Sequence, residues 1–410
     1  MRGRGFPPGR RGARPRSRSP LHVGARRVRV RRRLSKRCGF RVRVGLDATW
    51  AAAEGTGTAS YTRGLIRALA GHANHEFVLY FRPGDEERNP LFQLDRANVT
   101  KRCVGGWGQI GRTWLSLSRE TRRDRLDIFH SPSYFLPVCK APRVATFHDV
   151  NMFLQWNKWW RPGMRAGWAS LAIQTVAASR LANRIVADSH HAATQIRRVL
   201  HLRDSEVDVV YPGVNDLYFE ESRDATAVDR YALHEYFLSV GVLSPQKNLE
   251  GLVRAFAALD RPKTHLVIVG RRDGPYFDQT VGPLIDELHV TSRVRVLGVV
   301  PDLILRRLYR SALALVFPSF AEGFGLPPLE AMACGTPVVA ACAGSLPEVV
   351  ADAGLLIDPN DIRDLAEAMS AVADDKSLAG TLSERGRMRA RLFRWSTSAR
   401  RMFDVYESFA

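Results

Sequence analysis

From Arg41 onward the chain alternates short runs of apolar and β-branched residues with longer segments whose apolar positions recur every three to four residues. That is the pattern of βαβ units built on a parallel sheet. "RVRVGLD" (41–47) reads as a strand and "SYTRGLIRALAGH" (60–72) as a helix. Strands follow at "FVLYF" (77–81), "DIFHS" (127–131), "RVATFHD" (143–149) and "RIVADS" (184–189), then a helix at "HHAATQIRRVL" (190–200). "VDVVYPGVN" (207–215) ends on a turn at Pro212-Gly213. After a polar stretch the same grammar restarts: strands at "YFLSVGV", "THLVIVG", "VRVLG", "LALVFPS", "TPVVAA" and "GLLIDP", with helices at "NLEGLVRAFAAL", "PDLILRRLYRSA" and "DIRDLAEAMSAVADD". Two similar α/β halves joined near residues 212–220 describe this economically.

A length of 410 residues accommodates two domains, and 45% hydrophobic with 25% charged residues is ordinary for a soluble globular chain. The net charge of +20 changes meaning once it is located. Residues 1–43 hold 16 Arg and one Lys and no acid, leaving 44 basic against 41 acidic side chains in the rest. The near-neutral body argues against nucleic acid as the main partner. Residues 1–40 are too poor in apolar surface to offset their ordering entropy, and disorder is expected there. Such a segment suits an RNA or anionic-lipid tether, or a non-structural extension, and it lacks the apolar core of a secretory signal. Five cysteines without metal spacing suggest reduced thiols and a cytoplasmic setting. No run approaches the ~18 apolar residues of a membrane span.

The candidate chemistry begins at "PSFAEGFGLPPLEAMACGTPVV" (318–339), where seven residues separate Glu322 from Glu330. A strand is expected to end at Phe317, a loop to run through Gly325, and a helix to start near Pro327, because proline suits a first turn whose N–H groups have no intrahelical partner. A helix starting at the carboxyl end of a parallel strand faces the crevice where such sheets bind ligands, and its free N–H groups favour an anion. Two carboxylates would repel that anion. An ionised carboxylate only accepts hydrogen bonds, however, and a pair of neighbouring hydroxyls is a natural partner for it. A nucleotide sugar carries such pairs at both ends of its diphosphate. The competing explanation makes Glu330 a first-turn acid stabilising the helix dipole and Glu322 a solvated loop residue.

The block "EGFGLPPLEAMACGTPVV" resembles the E-x7-E signature of the retaining glycosyltransferases of the GT-B fold (family 4, group 1), which include many bacterial mannosyl- and glucosyltransferases. The likeness continues through "GTASYTRGLIRAL", "FHDV", "VYPGVN", "VGVLSPQKNLEGLVRAF", "VIVG", "LYRSALALVFPSFAEGFG", "SLPEVV" and "FRWSTSARRMFDVYESF". It implies an α/β fold of two Rossmann-like α/β/α domains facing each other across a cleft. Residues 41–215 would form the acceptor domain, completed by a C-terminal helix at 395–410 that returns to it, and residues 216–394 the donor domain. The implied activity is transfer of a hexose, mannose or glucose, from a nucleoside diphosphate sugar to an acceptor hydroxyl on a glycan or lipid-linked saccharide. GDP-mannose is the favoured donor, the anomeric configuration is retained, and no metal or other cofactor is required.

By the same resemblance Glu322 contacts hydroxyls of the transferred sugar beside the reacting carbon, and Glu330 binds the ribose hydroxyls. Phe324, Gly325 and Leu326 present backbone amides to sugar and phosphate. Lys247, with Asn248 beside it in the donor set, neutralises the departing diphosphate; a solvated lysine at a helix start is the alternative. Many members have arginine where this chain has Val242 and Gln246, which leaves Lys247 and the amides more of the charge to carry. His148 contacts the donor sugar or the acceptor, imidazole being usable in either protonation state near neutrality. Asp149 follows it, and a structural histidine at a strand end is the alternative. Gly57, with Gly55, lies in the loop after the first strand near the diphosphate; a plain turn into a Thr58 or Ser60 helix cap explains the same residues, and Ala59 replaces a glycine of many members.

"FLQWNKWWRPGMRAGW" (153–168) gathers Trp156, Trp159, Trp160 and Trp168 among Lys158, Arg161 and Arg165. This suits a peripheral membrane interface where a lipid-linked acceptor would lie, or equally a helix packing its aromatics inward. Three other functions share parts of the pattern: a GT-B-like epimerase or phosphorylase, a non-catalytic nucleotide-sugar binder (motivated by Val242 and Gln246), and an RNA-binding protein led by its Arg-rich front.

Overall fold

The computed structural model describes residues 41–106, 111–154, 165–220, 233–272 and 274–409, with backbone alone for 165–168. The Arg-rich front, Trp156, Lys158, Trp159, Trp160 and Arg161, and the side chains of Arg165 and Trp168, lie outside the described residues.

Thirteen strands form two parallel sheets among these residues. The first contains β1 (Arg43–Asp47), β2 (Glu76–Phe81), β3 (Val99–Cys103), β4 (Ile128–Ser131), β5 (Arg143–Phe147), β6 (Arg184–Ala187) and β7 (Val207–Val209), in the order β3-β2-β1-β4-β5-β6-β7. The second contains β8 (Tyr236–Val240), β9 (His265–Val269), β10 (Val294–Gly298), β11 (Ala314–Phe317), β12 (Val338–Ala341) and β13 (Leu355–Ile357), in the order β10-β9-β8-β11-β12-β13. Helices cover both faces, so central strands such as "ALVF" and "VVAA" are buried throughout, as continuous apolar runs in a parallel sheet require. Each sheet reverses its winding direction once, between β1 and β4 in the first and between β8 and β11 in the second. Ligands of open α/β sheets bind at the carboxyl ends of strands flanking such a point.

Seven helices matter for the site: α1 (Gly57–Ala70), α2 (His190–Leu200), α3 (Leu249–Ala257), α4 (Asp302–Ser311), α5 (Leu326–Cys334), α6 (Leu346–Val350) and α7 (Trp395–Glu407). The C-terminal helix α7 does return to the first sheet. Tyr406 Oη lies 2.7 Å from Nδ1 of His130 on β4, and Nε2 of that ring lies 2.9 Å from Thr146 Oγ1 on β5. Thr146 Oγ1 in turn meets Tyr61 Oη of α1 at 3.1 Å. Burial pushes the His130 pKa down to about 3, so the ring is neutral and joins this buried chain as one donor and one acceptor.

One strand went unread and two local expectations are corrected. β3, "VTKRC", carries no alternation that marks a strand, because it is an edge strand with its last two residues exposed. Gly57 is the first residue of α1 rather than a loop residue, and the helix is capped by Thr56, whose hydroxyl accepts from Ala59 N at 3.3 Å, not by Thr58 or Ser60. Glu330 is the fifth residue of α5 and is not in its first turn, so the dipole explanation of that acid lapses.

Where the chain crosses between halves, Val214 N donates to Phe393 O at 3.0 Å and Ser398 Oγ to Tyr211 O at 2.6 Å. A β-carbon on Gly213 would overlap the backbone of Arg394 and Trp395. Gly213→Ala is therefore expected to cost about 1–3 kcal/mol and lower the thermal midpoint. Gly380→Ala, in a helix with open space around that position, should raise the midpoint slightly; calorimetry on both variants checks the contrast.

Candidate active site

The loops that follow β8 and β11 flank the reversal point of the second sheet, and they bring Lys247 and Glu322 together. Lys247 closes a short 3-10 turn (Pro245–Lys247) ahead of α3. Its Nζ lies 2.5 Å from Glu322 Oε1 and 4.8 Å from the centre of the Phe317 ring. Both partners of the ion pair keep some solvent access, at 19% and 12% side-chain exposure, so a ligand in the crevice can reach them. Gln246 braces the same loop from behind, with Nε2 donating to Ala321 O at 2.5 Å and its carbonyl accepting from Phe320 N at 2.9 Å. Asn248 is engaged by the fold: Oδ1 caps Gly251 N at 3.2 Å and Nδ2 donates to Pro359 O at 2.7 Å.

Gly323, Phe324 and Gly325 show a division of labour between their backbone groups. Their N–H groups donate to no protein acceptor among the described residues, while the carbonyls of Glu322, Gly323 and Phe324 are held. Ser345 Oγ donates its one proton to Phe324 O (2.6 Å), while Ser345 N holds Glu322 O at 3.2 Å, with Oγ 3.0 Å from that same carbonyl. Ser189 Oγ, from the first half, donates to Gly323 O at 2.7 Å. Gly325, at φ 111°, then turns the chain into α5, where Pro327 and Pro328 remove two N–H groups from the first turn. The amides left free there are those of the loop and of Leu326.

Glu330 points from α5 into a cleft of about 530 Å³ whose opposite wall is α1, with Arg63 and Arg67 among the lining residues; Asp302 and Tyr218 line it too. Tyr309 Oη donates to Glu330 Oε2 at 3.0 Å. Burial pushes the Glu330 pKa up to about 7; the Tyr309 bond works against this rise and the Asp302 charge adds to it. Its carboxyl therefore titrates near neutrality.

In the first half, His148 follows β5 with both ring nitrogens facing acceptors: Nδ1 lies 2.6 Å from Asp188 Oδ2, and Nε2 donates to Pro132 O at 3.1 Å. Two donors mean an imidazolium. Burial alone would lower the His148 pKa, but the charge and hydrogen bond of Asp188 outweigh it and raise the pKa above the ordinary histidine value. Gly323 packs directly on the His148 carbonyl, where a β-carbon would overlap, so the histidine's backbone and the loop between the two glutamates meet across the cleft. Asp149 sits at this junction with Oδ1 accepting from Asn151 N at 2.9 Å, and its pKa is raised, chiefly by burial. Gly55 reaches the second half too, against Val299.

Asp188, Ser189, Tyr309, Ser345 and Glu348 escaped the sequence reading, although "SLPEVV" was part of the resemblance. Only Asp188 had a local signal, an acid at the end of a strand. The His148 arrangement fixes a sign: its stabilising contribution is complete below the unfolded histidine pKa and is lost as pH rises through the raised folded value. In Asp188→Asn the two largest raising influences are gone and only the Pro132 carbonyl and the Asp149 charge still oppose burial, so the His148 pKa should fall from its wild-type value. Imidazole NMR titration of both proteins checks this.

The comparisons with known proteins agree with this geometry. Residues 227–389 match the family model for glycosyl transferases group 1, and residues 55–216 that for glycosyltransferase family 4. The chain is 32% identical over 293 residues to O-antigen chain mannosyltransferase B of Escherichia coli, covering 70% of this chain and 75% of that protein. It is 36% identical over 232 residues to D-inositol 3-phosphate glycosyltransferase of Mycolicibacterium smegmatis, covering 55% of this chain and 52% of that one. Among solved structures, sucrose-phosphate synthase from Thermosynechococcus elongatus superposes with a TM-score of 0.75 at 22% identity, over 90% of this chain and 98% of that chain. Anabaena HepE in complex with UDP-glucose gives 0.72 at 18% identity, over 90% and 100%. The two sheets with facing carboxyl edges, the paired glutamates and these matches place the chain in the group 1, family 4 glycosyltransferases of GT-B fold, which transfer a sugar from a nucleotide sugar.

Proposed function

We propose that this enzyme moves a hexose, with mannose from GDP-mannose favoured, to an acceptor hydroxyl on a glycan or lipid-linked saccharide, with retention at the anomeric carbon. The observation that carries the reading is the placement of Glu322 against Lys247 at the reversal point of the second sheet, with Glu330 in the cleft opposite α1. The E. coli relative's name, O-antigen chain mannosyltransferase B, supports the choice of sugar. HepE bound to UDP-glucose supports a nucleotide sugar as donor in this fold.

In this reading Glu330, ionised, accepts hydrogen bonds from the ribose hydroxyls. The free amides of Gly323 to Leu326 and the N-terminus of α5 receive phosphate oxygens. Lys247 shifts from Glu322 toward the departing diphosphate as negative charge builds there, releasing Glu322 to accept from sugar hydroxyls. The glycosidic carbon–oxygen bond breaks ahead of attack, through an oxocarbenium-like state, and the acceptor's proton passes to an oxygen of the leaving phosphate. His148, tied at both ring nitrogens, contributes a fixed positive charge beside the sugar rather than a base. The leaving-group charge rests on side-chain and amide donors, with no metal ion assigned to it.

A cytoplasmic site at a membrane surface also belongs to this reading. No helix among the described residues is long and apolar enough to cross a bilayer. Trp114 and Leu115 are 42% and 75% exposed, and Arg119, Arg122 and Arg123 just beyond them are exposed as well. Apolar side chains beside cations suit an anionic lipid headgroup layer.

Hydrolysis of a donor panel, with the released nucleotide identified by mass, tests the reading. GDP-mannose turnover is expected, and binding without turnover of any donor would make the chain a non-catalytic binder. Lys247→Ala should lower kcat on the order of a hundredfold or more. Because ribose hydroxyls need an ionised acceptor, donor affinity should rise as pH rises through about 7, and Glu330→Gln should bind more weakly with no such rise; calorimetric titration between pH 6 and 8 reads both. Flotation on phosphatidylglycerol vesicles should be salt-sensitive and reduced in Leu115→Asp.

A further inference from the structure

The most completely held carboxylate in the cleft region is not one of the signature glutamates. Glu348 belongs to α6 of the second half, yet its side chain reaches the first half. Oε1 accepts from His190 N at 2.8 Å and from Tyr211 Oη at 2.7 Å, and Oε2 accepts from His191 N at 3.1 Å. His190 and His191 open α2, an eleven-residue helix whose first N–H groups lack intrahelical acceptors and favour a negative charge. Ser189, the cap of the same helix, accepts from Ala192 N at 2.9 Å and donates to Gly323 O. One helix start in the first half thus grips both Glu348 and the loop between the two signature glutamates.

The other end of the connection is rigid. The residue before α6 is Ser345, which holds the carbonyls of Glu322 and Phe324. The backbone of α6 is held from outside by Arg389, whose Nη2 donates to Glu348 O at 2.6 Å and whose Nε donates to Val349 O at 3.0 Å. A pull on Glu348 is therefore transmitted through one turn of helix to the loop that carries Glu322. We propose that Glu348 is the positioning residue that locks the two halves together with that loop in its working register. It acts through α2 and Ser345 and does not touch the substrate. Opening the cleft breaks the bonds to His190, His191 and Tyr211 together with the Ser189–Gly323 bond. The amides of Gly323 to Gly325 then lose one of the contacts that aim them.

The inference rests on the transferase reading only for its effect on turnover. Glu348→Ala is expected to lower kcat about tenfold or more, the scale of losing hydrogen bonds to a charged group. Affinities for GDP and UDP should fall by clearly less than kcat, because Lys247, Glu330 and the Ser345 bonds to the loop lie within the second half and remain. X-ray scattering should show a larger radius of gyration, and Glu348→Gln, which keeps one carbonyl acceptor, should fall between the two. Wild-type turnover in Glu348→Ala, an unchanged scattering profile, or nucleotide affinity falling in step with kcat each overturns the proposal. If Glu348→Ala does not fold, Tyr211→Phe removes one of the three donors: a several-fold lower kcat with an expanded profile supports the lock, and wild-type behaviour in both refutes it. Scattering needs no substrate, so a chain inactive on every donor would refute the transferase reading without touching this one.

Discussion

A loop can keep its N–H groups ready for an anion only if its C=O groups are held by something else. Between Glu322 and α5 this condition is met by two serines from different places in the chain. Ser345 takes the carbonyls of Glu322 and Phe324, and Ser189 takes that of Gly323 across the cleft. With the carbonyls anchored, the amides have no freedom to turn inward, and three of them have no protein acceptor among the described residues. The glycine at 323 follows from the same constraint, since the loop must lie against the His148 backbone closely enough that no β-carbon fits. Preorganised donors of this kind need no reorganisation when charge develops, which is where their value for catalysis lies.

In the proposed reading, the charged groups around this loop are paired with protein groups whose chemistry resembles that of the substrate. Lys247 rests on Glu322, holding a cation where a diphosphate would need one and a carboxylate where sugar hydroxyls would need an acceptor. Glu330 has a hydroxyl partner in Tyr309, the same chemistry that ribose offers. Burial leaves that carboxyl poised near neutrality, so gaining hydroxyl donors and losing its proton favour each other. His148 differs, because its hydrogen bonds to Asp188 and Pro132 are internal and favour the charged ring. The sequence allowed it either state; the structure shifts the balance through partners 40 and 16 positions away.

How much could be read beforehand follows from the range of the interactions. Strands buried on both faces, such as "HLVIV" and "ALVF", announce themselves by composition, and the helix at "HHAATQIRRVL" was legible to the residue. β3 was not, because an edge strand with its end in water has no apolar pattern to show. The start of α1 was misplaced because its cap, Thr56, precedes two candidate hydroxyls and has no glutamate three residues on to mark it. In the site, the two glutamates and Lys247 were legible because neighbouring sequence frames them. Ser345 and Glu348 owe their roles to partners up to 158 positions away, and no local spacing encodes that.

The departure at Gln246 now has a physical account. Where the family resemblance leads one to expect an arginine, this chain has a glutamine whose side-chain amide donates to Ala321 O and whose backbone carbonyl accepts from Phe320 N. An arginine there would add a charge to the crevice, whereas the glutamine ties the segment just ahead of Glu322 to the turn that carries Lys247. The loop after β11 is thus braced from three directions: by Gln246 from β8's side of the sheet, by Ser345 from β12's side, and by Ser189 from the opposite half. In the proposed reading, with fewer cations available, stabilising a departing diphosphate depends more on how accurately Lys247 and the amides are aimed. The structure supplies that accuracy by exchanging one long-range charge for short, directional hydrogen bonds.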